Sequence, residues 1–71
     1  MNALNTNIYE RVSKSLLDDP RTSKAVIDIV TQQGMITLTG TVDSEEVRQA
    51  AEEIARNQPG VITVVNELKV E

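Results

Sequence analysis

The chain contains no cysteine and no histidine. The first absence excludes a disulfide framework and a thiolate zinc site. The second removes the commonest general base and metal ligand. Tyr9 is the single aromatic residue, so no aromatic platform for stacking bases can be built. The large side chains that usually anchor interface hot spots are missing as well. Cations are in the minority, seven Lys and Arg against eleven Asp and Glu, for a net charge of −4. An acidic chain is a poor match for a phosphate backbone, so nucleic acid is not an expected partner. No run of 18 apolar residues exists to span a bilayer as a helix. The polar N-terminus, Met-Asn-Ala-Leu-Asn-Thr-Asn, has neither the basic nor the apolar stretch of a signal peptide. At 71 residues the chain is expected to form one domain, residues 1–71, with a small core.

Apolar spacing predicts the elements. Leu4, Ile8, Val12 and Leu16 recur every four residues and mark one helical face. Asn7 with Glu10 three residues on resembles a capping box. Asp18-Asp19-Pro20 ends that helix, because Pro20 disfavours the helical conformation at Asp19. Lys24 to Gln32 is rich in Val, Ile and Thr and reads as a strand. Met35 to Val42 alternates, with Ile36, Leu38 and Val42 on one face and Met35, Thr37, Thr39 and Thr41 on the other. Gly34 between the two runs predicts an antiparallel hairpin. Asp43, with Glu46 three residues later, is expected to cap a second helix. Its apolar positions are Val47, Ala50, Ala51, Ile54 and Ala55, and its alanines allow close approach to a sheet. A last strand is expected over Val61 to Val70, with Ile62, Val64, Asn66, Leu68 and Val70 on the core parity.

The fold class is therefore α+β: an α-β-β-α-β two-layer sandwich with a three-stranded mixed sheet and two helices on one face. Leu38 and Ile54 are expected between the layers. Gly40 within a strand implies a close backbone approach, with a helix as the expected neighbour.

Three blocks carry a family resemblance. The first is Gln33-Gly34-Met35-Ile36-Thr37-Leu38-Thr39-Gly40-Thr41-Val42, and the second is Arg48, Ala51, Ile54 and Ala55. The third is Pro59-Gly60-Val61-Ile62-Thr63-Val64-Val65-Asn66-Glu67-Leu68-Lys69-Val70. Together, in this order and over nearly the whole chain, they resemble the BON domain, the module named for bacterial osmotic-shock and nodulation proteins. The resemblance implies a non-catalytic domain without a cofactor. It also implies attachment to phospholipid or to protein partners, in the bacterial cell envelope among other settings. A cytoplasmic place is expected if the chain is whole, and the periplasm or envelope if it is a domain of a longer protein.

The glycines lack the spacing of a nucleotide-binding loop. Glu45, Glu46, Glu52 and Glu53 read as a solvated helix face, with Glu52 and Arg56 as an i,i+4 pair. Asn66 reads as a polar residue bonding backbone at a strand irregularity. Two candidate surfaces remain. Two helices cover one side of a three-stranded sheet, so its other side is expected to bind a protein partner or a second copy. The residues assigned to it are Val26, Val30, Thr37, Thr39 and Val65. The alternative is a phospholipid surface or a small ligand met by the first helix, through Arg11 and Lys14.

Overall fold

The apolar stripe of Ile8, Val12 and Leu16 winds as α1 (Ile8–Asp18) in the computed structural model, which describes residues 7–71. Leu4, at the start of the predicted stripe, lies outside the described residues. Asn7 caps the helix, its Oδ1 accepting from the Glu10 N–H at 2.8 Å. At the other end Asp19 leaves the helical conformation, as the residue before a proline tends to do. Its carboxylate accepts from the Arg21 N–H at 2.8 Å and from the Arg21 guanidinium at 3.0 and 3.1 Å. Thr22 turns back beneath the helix, fully buried, and its hydroxyl donates to the Leu16 carbonyl at 2.6 Å. One of the carbonyls that a helix end leaves unpaired is satisfied in this way.

The chain continues as β1 (Val26–Gln32), β2 (Met35–Val42), α2 (Glu45–Arg56) and β3 (Thr63–Val70). The sheet runs β1-β2-β3, with β1 antiparallel and β3 parallel to β2. Gln33 and Gly34 turn the hairpin with φ of 51° and 86°. Positive φ at both central residues is the type I′ arrangement, whose twist suits paired strands. The core gathers Val12 and Leu16 of α1, Ala51 and Ala55 of α2, and Ile36, Leu38, Val42 and Leu68 of the sheet. These four sheet residues share one parity, so both helices lie on the same face. This is the α+β sandwich with a mixed three-stranded sheet that the apolar spacing predicts.

Several expectations are corrected. Ser44, not Asp43, caps α2, its Oγ accepting from the Val47 N–H at 3.3 Å. The helix thus starts one residue later than a cap at Asp43 with Glu46 requires. Strand β1 starts at Val26 rather than Lys24, because residues 20–25 complete the turn around Thr22. Strand β3 starts at Thr63, and Ile62 is an exposed residue packed beside Gly34 rather than a core position. Val70, at the last position of an edge strand, is also exposed. Leu38 is fully buried, whereas Ile54 is half-buried and packs on the core from its margin. The close neighbour of Gly40 is strand β1, not a helix. A Cβ built there would stand 2.8 Å from the Val26 carbonyl oxygen.

Candidate interaction surface

Helices on one side leave the opposite side of the sheet without a covering layer among the described residues. Side chains alternate across a pleated strand, so every second residue faces that side. The strand registers align them into four rows. These are Val26–Thr41–Lys69, Asp28–Thr39–Glu67, Val30–Thr37–Val65 and Gln32–Met35–Thr63. Neighbours within a row have Cβ atoms close enough to act as one surface.

The rows divide the predicted residues. Val30, Thr37 and Val65 stand side by side in one row, with Met35 in the next. Val30 is 57% exposed, Met35 38% and Val65 37%. Thr39 belongs to the neighbouring row, between the carboxylates of Asp28 and Glu67. Val26 lies beyond that acidic row and is 81% exposed. The five residues therefore share a face but form a compact apolar centre of three, an acidic border and an outlying valine. Met35 completes the centre. Its parity shows in the sequence, but register alone places it against Thr63.

The residues of the alternative surface are placed differently. Lys14 is exposed on α1. Arg11 is half-buried, and its Nη2 donates to the Pro59 carbonyl at 2.8 Å, tying α1 to the turn before β3. The guanidinium is thus already engaged within the fold.

On the other helix the carboxylates serve the structure. Glu45 accepts from Arg48 at 2.6 Å, and Glu52 and Arg56 approach to 3.5 Å. Asn66 reaches from β3 to α2, its Nδ2 donating to the Arg48 carbonyl at 3.0 Å and to Glu52 at 3.1 Å. Its Oδ1 accepts from the Leu68 N–H at 3.1 Å. Leu68 lies opposite Gly40, so Asn66 satisfies backbone at the irregular point of the ladder. Among the described residues no cluster of three His, Cys, Asp or Glu side chains could hold a metal ion. A marked electrostatic perturbation sits at the end of α1. There the hydrogen bonds from Arg21, side chain before backbone, hold the Asp19 carboxyl below its ordinary value of 3.8.

The chain is thus a two-layer α+β domain with one open sheet face and a structural polar framework. A family model described as BON domain matches residues 5–71, and the chain belongs to that family. No curated protein matches the chain. BON domains are binding modules and are in general non-catalytic.

Proposed function

We propose that this domain is a non-enzymatic interaction module that docks a protein partner, or a second copy of itself, through the open face of its sheet. The supporting observation is the row Val30–Thr37–Val65, backed by Met35, on a side without a covering layer among the described residues. A β-branched row has few rotamers to lose on docking. Covering the exposed remainder of Val30 and Val65 contributes up to about 1 kcal/mol each. The acidic row of Asp28 and Glu67 borders the centre and favours a partner with cations at the matching edge.

The test is Val30→Lys. The side chain points away from the core, so thermal unfolding is expected within about 0.5 kcal/mol of the parent. A complex formed through the face is expected to weaken at least ten-fold by calorimetry or sedimentation. A charge reversal at Lys14, which keeps the Arg11 bond to Pro59 in place, should leave it unchanged. Unaltered complex formation by Val30→Lys, with loss of binding to anionic vesicles in the Lys14→Glu variant, would replace this reading with lipid attachment through α1.

A further inference from the structure

The outer edge of β1 is a separate surface from the open face, and its backbone can be read from the hairpin turn. In a two-residue turn the Gln32 carbonyl accepts from the Met35 N–H, which makes Gln32 and Met35 a hydrogen-bonded pair. Bonded and non-bonded pairs alternate along an antiparallel ladder. Val30, Asp28 and Val26 therefore bond inward to β2. Ile27, Ile29 and Thr31 turn their N–H and C=O groups to the outer edge, where no strand pairs with them among the described residues. Nothing on β1 blunts this edge: the strand has no lysine and no proline, and Asp28 is its single charge. The flanking groove is of mixed polarity: Ile27 and Ile29 lie half-buried beside Leu17 of α1, itself 63% exposed, with Ser13 and Thr22 also in its lining.

We propose that a second copy of the chain pairs its own β1 with this edge, antiparallel, with the two-fold axis at Ile29. The result is a continuous six-stranded sheet. Three features of the strand favour this partner and this register. Centring on Ile29 overlaps all seven residues of β1 and opposes Ile27 with Thr31 of the copy, and Ile29 with its own equivalent. Every residue whose backbone points outward then meets another that points outward, for about six new hydrogen bonds. Centring on Asp28 instead would set two carboxylates face to face. In the Ile29 register Asp28 stands opposite Val30 of the copy. Overall charge agrees as well. Residues 1–33 carry four cations and four anions, whereas residues 34–71 carry three and seven, so the −4 lies away from this edge. A two-fold interface uses one patch twice, as this self-complementary strand allows.

This inference does not rest on the open-face reading, and Val30 separates the two. In the edge dimer Val30→Lys places an ammonium beside Asp28 of the other copy, twice over by symmetry. Sedimentation of the chain up to about 1 mM should then show tighter association than the parent. Val30→Asp opposes carboxylates at the same two places and should weaken the dimer about ten-fold. The charge swap Asp28→Lys with Val30→Asp should restore it. All three changes lie on the open face, so circular dichroism should report an intact fold. Since the chain has no cysteine, Ile29→Cys gives a clean cross-link. The opposed Cα atoms would be about 5.5 Å apart, within disulfide reach. Asp28→Cys, with its equivalent about 8 Å away, should stay reduced under mild oxidation. A monomer throughout the concentration range, or cross-linking through Asp28→Cys in place of Ile29→Cys, would overturn the proposal. Dissociation by Val30→Lys would overturn it too and assign the dimer to the open face.

Discussion

Gly40 joins sequence to packing at a single position. Its φ of 131° is one that side-chain-bearing residues rarely adopt, and a Cβ there would meet the Val26 carbonyl oxygen at 2.8 Å. The obstacle is backbone of the paired strand, which cannot swing aside as a side chain can. Gly40→Ala is therefore expected to cost about 2–3 kcal/mol through strain and displacement of β1. At this chain length that lowers Tm by roughly 8–24 °C. Calorimetry of the variant checks it, and an unchanged Tm would show that the hairpin relaxes there at little cost. The sequence marks the position, a glycine between Leu38 and Val42, but not its neighbour. Parity points Gly40 toward the helices, whereas positive φ redirects the missing Cβ toward β1. Asn66 belongs to the same irregularity, since its Oδ1 takes the N–H of Leu68 opposite Gly40.

At the scale of elements, the legible features were those with a period. The α1 stripe, the alternation of β2 and the alanine face of α2 each repeat often enough to fix a face. Ends were less legible, because one hydrogen bond decides them. Ser44 and Asp43 are both good caps, and only the backbone shows that Ser44 takes the Val47 N–H. Thr22 gave no signal, since its bond to Leu16 exists only after the chain has turned at Pro20. The open face was visible as a parity. Its division into an apolar centre and a distant Val26 depends on register, which one strand's sequence does not contain. The same turn yields a pH prediction. Arg21 lowers the Asp19 pKa in the folded chain below its ordinary 3.8. A depressed carboxylate contributes stability that is present above the unfolded value and lost as pH falls through the folded one. Carboxyl NMR should find Asp19 titrating below 3.8, and Arg21→Gln should return it toward that value. A parent titration at the ordinary value would mean the Asp19–Arg21 contact does not persist in solution.

For the whole molecule, the two faces of one sheet are built differently. A chain of this size is stabilised by about 4–10 kcal/mol, and its core is a single layer between helices and sheet. Burial is therefore concentrated on one side. Leu38 is fully buried there, while Thr37, the preceding residue, lies on the face without a covering layer among the described residues. Leu38→Ala removes packed methyl groups and should cost roughly 2–4 kcal/mol, a large share of the total. Thr37→Ala removes a half-buried side chain on the face opposite the core and should cost no more than about 1 kcal/mol. Urea unfolding of both variants, with the parent slope retained, measures the asymmetry directly. In a binding assay the order should reverse: Thr37→Ala weakens docking through the face, and Leu38→Ala does so only through loss of folded protein. A Thr37→Ala loss of stability matching that of Leu38→Ala would show that the face is part of the folding core, and would remove the basis for its assignment as a docking surface.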